Sequence, residues 1–135
     1  MILRLTAQHL NLLRKEAIKA HPIEACGLLF GKLKDKTEGL VTKIVTAPNI
    51  LHSTVRFEID PKAFYDALMQ AEKDGIEFIG LFHSHPAPAT PSGVDIEFMR
   101  LWGDIVWLIL SSTENEFAAF QMINGKIHSM VLKVE

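Results

Sequence analysis

Two histidines one residue apart, His83 and His85, close the apolar run Ile76 to Phe82. If that run is a β-strand, its side-chain period of two puts both imidazoles on one face and Ser84 on the other. Two imidazoles on one rigid strand supply two of the three protein ligands of a catalytic zinc site. Asp95, ten residues beyond His85, offers the third, after a loop stiffened by Pro86, Pro88 and Pro91. Hydrolysis at such a site also needs a carboxylate that stays off the metal and takes the proton of the attacking water. Glu24 suits that part, because it heads the apolar run Glu24 to Leu33, where packing gives no reason for a charge.

Each of these residues also has an ordinary explanation. Histidines occur in strands for packing or hydrogen bonding, and a lone His-x-His pair is weak evidence of a metal. Ser92-Gly-Val-Asp95 at a helix start reads as a capping box. Glu24 could be a surface carboxylate at a junction, and Cys26 a small buried apolar side chain. The set as a whole favours chemistry. A metal-bound Asp95 has little left for a cap, so the two readings of that residue are expected to part in the structure.

The elements that must carry these residues follow from pattern. Thr6 caps a helix over about Ala7 to Ala20, with Leu10, Leu13, Ala17 and Ile18 near one stripe, and Pro22 ends it. Glu24 to Leu33 reads as a buried strand, Lys34 to Gly39 as a polar turn and Leu40 to Ala47 as a β-branched strand. Val55 to Ile59 alternates and suits a half-exposed strand. Asp60-Pro61 opens a second helix, with Phe64, Leu68 and Ala71 on its buried side and Gly75 closing it. The histidine strand follows, then a helix from Ser92 to about Trp102 with Ile96, Met99 and Arg100 at helical spacing. Ile105 to Leu110, Glu116 to Ile123 and Lys126 to Val134 read as strands, the last two joined by an Asn124-Gly125 hairpin turn. The order predicts one α+β domain over residues 1–135, a mixed, curved sheet flanked by helices.

Composition narrows the function classes. The 135 residues, 48% hydrophobic and 22% charged, are those of an ordinary globular chain. A net charge of −2 without a basic cluster argues against nucleic acid as a partner. The longest apolar runs fall far short of the roughly 20 residues that span a bilayer, so no membrane partner is expected. The N-terminus lacks the pattern of a signal peptide, and the expected location is the cytoplasm. One cysteine excludes an internal disulfide and a Cys-rich structural zinc site. Other metal hydrolases fit less well. Ala87 and Pro88 stand where a metallo-β-lactamase needs Asp-His, a zinc deaminase needs more cysteines, and an amidohydrolase barrel needs a chain about twice as long.

The pattern resembles that of the JAMM (MPN+) metalloproteases: an upstream glutamate, then His-x-His-Pro, then Ser-x-x-Asp. Here these are Glu24, His83-Ser84-His85-Pro86 and Ser92-Gly93-Val94-Asp95, with Ser92 seven and Asp95 ten residues after His85, as in the family. The segment His21 to Leu29 and the order of elements are similar as well, so the resemblance covers nearly the whole chain. It implies that His83, His85 and Asp95 hold one Zn2+ with a water as fourth ligand. It further implies that Glu24 is the general base and that the Ser92 hydroxyl steadies the oxyanion. The implied activity is cleavage after the C-terminal Gly-Gly of a ubiquitin-like modifier, releasing it from lysine. The chain is close to the bare core of the family, which points to the compact prokaryotic type, acting on small β-grasp modifiers or sulfur-carrier proteins. A neighbouring activity releases an amino acid such as cysteine from a sulfur-carrier C-terminus, and a non-catalytic MPN scaffold is the third reading. The sequence does not set the oligomeric state; small members of such folds often form homodimers. A Gly-Gly tail could bind by adding a strand to a sheet edge, and Val55 to Ile59 is one place to look for that edge.

Overall fold

The computed structural model describes residues 1–35 and 38–135. The elements run β1 (Ile2–Leu5), α1 (Ala7–Ala20), β2 (Cys26–Lys34), β3 (Glu38–Ala47), α2 (Pro61–Lys73), β4 (Glu77–His85), α3 (Gly93–Trp102), β5 (Val106–Ser111), β6 (Phe117–Ile123) and β7 (Lys126–Val134). The class is α+β, as the order of elements predicts. The mixed sheet does more than curve. Its strands follow the order β1-β3-β2-β4-β5-β6-β7 and close into a barrel, because β1 pairs in parallel with both β3 and β7. The sequence reading has no β1, so it has no closure. Part of the expected Lys34 to Gly39 turn, residues 36 and 37, lies outside the described residues.

Period-two alternation divides the apolar residues between two layers. Leu3, Leu5, Leu29, Val41, Phe82, Leu108 and Leu110 pack with Leu13 and Ala17 of α1. Cys26, Leu28, Phe30, Leu81, Trp107 and Ile109 pack with Ala71 of α2 and Met99 of α3. The α1 stripe is narrower than its pattern suggests, since Ile18 is 63% exposed. On α2, Phe64 and Ala67 pack against the second layer, whereas Leu68 is exposed. Caps fall where side-chain chemistry predicts. Thr6 accepts from the His9 N–H, and Asp60 accepts from the Ala63 N–H ahead of Pro61. The β6–β7 turn has positive φ at Asn124 (50°) and Gly125 (76°), the conformation a tight hairpin demands. No helix among the described residues is long and apolar enough to cross a membrane.

Val55 to Ile59 is not a strand. The 49–59 segment is an irregular loop built on Asn49, whose side chain donates to the carbonyls of Glu24, Ser53 and Arg56 and accepts from the N–H groups of Leu51 and Glu58. The alternation there is real but serves burial: Phe57 and Ile59 point into the core while Val55 is exposed. No free strand edge exists at this place for a Gly-Gly tail to extend.

Gly80 allows the histidine strand to lie against β5. It pairs with Val106 in the parallel β4–β5 ladder, and a Cβ at Gly80 would sit 1.9 Å from the Val106 carbonyl oxygen. Backbone cannot yield as a flexible side chain does. Gly80→Ala is expected to lower stability by about 1–3 kcal/mol, an overpacking cost read as an earlier unfolding midpoint in urea at unchanged slope.

Candidate active site

The strand β4 delivers the imidazoles as its period requires. His83 and His85 lie toward the α2–α3 side, and both are buried. Asp95 comes from the first turn of α3, which Ser92 starts as N-cap. Its Oδ2 lies 3.2 Å from His83 Nε2 and 3.7 Å from His85 Nε2. One donor atom from each of the three residues falls within 4.8 Å of the others. All four ring nitrogens are buried, with no hydrogen-bond partner among the described residues. Buried polar atoms are rarely left so, and two convergent imidazoles with one carboxylate are a donor set for a first-row divalent metal. The residues fit the ion that the sequence pattern implies.

The cap does not turn Asp95 away from the imidazoles. The capping box is complete: Ser92 Oγ accepts from the Asp95 N–H at 3.1 Å, and Asp95 Oδ2 accepts from the Ser92 N–H at 2.9 Å. That single backbone bond leaves the carboxylate facing both imidazoles. It fixes the Asp95 rotamer, as a hydrogen bond to a ligating carboxylate does in built metal sites.

Glu24 stands beside this group on the segment between α1 and β2, not within the strand as its pattern suggests. It is 1% exposed, and its Oε1 has no hydrogen-bond partner among the described residues. Burial pushes its pKa up to about 7; the charge of His83 pulls it down and that of Asp95 raises it again. Burial is also the main cause that lowers the pKa of His85, with the charge of His83 adding to it. The lowered pKa favours the neutral imidazole, the form that binds metal. For Asp95 burial pushes upward, but His83, the Ser92 N–H and His85 together hold its pKa below the ordinary carboxylate value.

Glu24, His85 and Ser92 open onto one cleft of about 560 Å3, walled by Thr54, Val55, Pro86, Ala87, Pro88 and Gly93. The structure thus brings all five sequence-selected residues to one place. Two contributors carry no motif. Phe57 stacks on the His83 ring at 5.0 Å between centroids, and Glu116 accepts from the Ala89 N–H at 2.6 Å, tying down the proline loop. A phenylalanine in a loop and a glutamate at a strand end have no spacing that could have marked them. Cys26 is buried, donates to the Ala47 carbonyl at 3.5 Å, and has its pKa pushed up to about 12 by burial and then by Glu24. Its burial matches the small apolar side chain that the sequence suggests.

Comparison with known proteins decides the family. The model for prokaryotic homologs of the JAB domain matches residues 6–123. The chain belongs to this JAB/MPN family. It is a JAMM hydrolase, as the sequence pattern implies. It is 37% identical to a desampylase of Pyrococcus furiosus over 89% of the chain and 82% of that protein. It is 29% identical to a desampylase of Haloferax volcanii over 90% and 86%. A probable TtuB-protein conjugate cleaving protease of Thermus thermophilus is 32% identical over 64% of the chain and 56% of that protein. Among solved structures, a protein of Desulfitobacterium hafniense superposes with a TM-score of 0.88 at 27% identity, covering 100% of this chain and 93% of that one. A protein of Salinibacter ruber gives 0.74 at 25% identity, with 100% and 92% covered.

Proposed function

We propose that residues 1–135 act as one zinc-dependent isopeptidase domain that cuts after the C-terminal Gly-Gly of a ubiquitin-like modifier and frees it from a lysine amine. The observation that carries this reading is the buried, partner-poor carboxylate of Glu24 beside a convergent His83–His85–Asp95 donor set on an open cleft. The names of the relatives, two desampylases and a conjugate-cleaving protease, support a protein conjugate as substrate. The cleft walls support it too. Ala87, Pro88, Gly93 and Val55 offer short apolar surfaces suited to a tail without side chains. Next to the site, a groove lined by Phe64, Leu68, Phe98 and Trp102, with Leu101 82% exposed nearby on α3, suits a protein-sized partner.

His83, His85 and Asp95 would hold the zinc. When bound, the ion supplies Lewis acidity, lowering the pKa of water and polarising the scissile carbonyl. The remaining work falls to the chain. Glu24, a buried carboxylate beside the donor set, takes the proton of the attacking water and returns it to the leaving lysine nitrogen. Ser92 Oγ already accepts from the Asp95 N–H, so its own O–H proton is free to point to the oxyanion of the tetrahedral intermediate. Burial of Glu24 keeps bulk water off the carboxylate, so the proton it takes is retained for the leaving group.

The test is a pair of substrates offered to zinc-loaded protein: a Gly-Gly-ending β-grasp modifier joined to the ε-amine of a lysine–fluorophore peptide, and the same modifier extended by cysteine. Release of fluorophore with about one zinc per chain is the expected result. Cleavage of the cysteine-extended form alone would replace the leaving group, and cleavage of neither would leave a scaffold.

A further inference from the structure

Glu24 has a demanding task and no regular element to hold it. It lies between the end of α1 and the start of β2, and its side chain is buried. A buried irregular segment must find bonds for its backbone outside any ladder. All four backbone groups of Glu24 and Ala25 are bonded. The Glu24 N–H donates to the Ser53 carbonyl at 2.9 Å, and the Ser84 N–H donates to the Ala25 carbonyl at 3.0 Å. The other two bonds come from side chains: Asn49 Nδ2 donates to the Glu24 carbonyl at 3.1 Å, and Ser84 Oγ accepts from the Ala25 N–H at 3.0 Å.

We infer that Asn49 and Ser84 are positioning residues that clamp Glu24 from two sides and set the distance of its carboxylate from the histidine strand. This rests on the reading of Glu24 as the proton-transfer group. Ser84 stands between His83 and His85, so its bond ties the base to the backbone that carries the imidazoles. The strand period that sends the histidines to one face sends Ser84 to the other, toward Ala25. Asn49 does the same from the 49–59 loop and also accepts from the Glu58 N–H at 3.2 Å, next to the Phe57 that stacks on His83. Both side chains are buried, Asn49 at 6% and Ser84 at 1% exposure. Solvent therefore cannot replace either bond. The Ser84 that separates the two histidines thus has a task of its own.

Two substitutions remove the clamp. Ser84→Ala deletes one oxygen. Asn49→Asp keeps an acceptor for Leu51 and Glu58 but loses the donor to Glu24, together with those to Ser53 and Arg56. With the zinc-loaded protein and the lysine–fluorophore conjugate, each is expected to lower kcat about ten- to a hundredfold, the effect of a small misplacement of a catalytic group. KM should stay within about twofold and zinc content should be unchanged, since substrate binding and the three ligands are untouched. A fold defect would look the same in kcat, so the deciding readout is a double-mutant cycle with Glu24→Gln. With the base already gone, either substitution should change the residual rate by less than about threefold. An equal factor in both backgrounds, or an unchanged kcat in Ser84→Ala, overturns the clamp. If Asn49→Asp does not fold, Ser84→Ala decides alone. A Glu24→Gln protein as fast as the parent would overturn the proton-transfer reading instead, a separate outcome visible before the cycle is built.

Discussion

Glu24→Gln is expected to lower kcat by about 10²–10⁴-fold while leaving zinc content unchanged, the loss typical of removing a general acid–base. Gln keeps the size and the hydrogen-bonding reach of the side chain but cannot take a proton. The same substitution should have an opposite effect on stability. In metal-free protein, burial holds the folded carboxyl near pKa 7 against an ordinary 4.5. Between those values the folded state binds more protons than the unfolded state, so stability falls as pH rises from about 4.5 to about 7. Above that window the buried charge costs the parent about 3 kcal/mol. The Gln variant escapes this cost. Urea unfolding of the metal-free proteins should find it more stable than the parent at pH 8, with the difference shrinking toward pH 4. A variant that is slower yet no more stable at pH 8 would mean that the Glu24 carboxylate is hydrated in the folded protein and pays no burial cost.

The site was legible in the chain because its residues lie on short segments whose spacing is set by local geometry. A strand fixes His83 against His85, and a helix start fixes Ser92 against Asp95. Glu24 was legible for a different reason, a charge placed where burial gives no account of it. What the sequence hid depends on distant pairing. Ile2–Leu5 is four residues long, too short to carry a periodic signal, and its place between β3 and β7 closes the barrel. The 49–59 loop misled because an extended loop that buries every second side chain has the alternation of a strand. Its real organiser, Asn49, is one buried amide with five partners, and such a hub has no pattern along the chain. The exposure of Ile18 and Leu68 has a similar cause, since a stripe predicts direction but the neighbouring element decides where cover stops.

Asp95 caps α3 and, on the proposed reading, also holds the metal; Asp95→Asn should pull these two tasks apart. Asn keeps an oxygen that can accept from the Ser92 N–H, so the cap and the start of α3 remain. Its neutral amide is a far poorer metal donor than a carboxylate whose pKa lies below the ordinary value. His85→Ala removes a proposed ligand outright and leaves the cap alone. Both variants are therefore expected to fold, to lose zinc on dialysis, and to fall in kcat/KM by at least about 10³-fold, since the several kcal/mol supplied by Lewis-acid stabilisation go with the ion. Thermal unfolding supplies the independent readout. Ligand bound only to the folded state stabilises by about 4 kcal/mol at a thousand times its Kd, so zinc should raise the melting temperature of the parent and not of His85→Ala. The informative case is Asp95→Asn with metal-free stability equal to the parent and no response to zinc, which assigns the carboxylate charge to the metal and its oxygen to the helix. Were Asp95→Asn to keep stoichiometric zinc and the full thermal shift, its carboxylate would be a cap and nothing more, and the third donor would have to be sought elsewhere around His83 and His85.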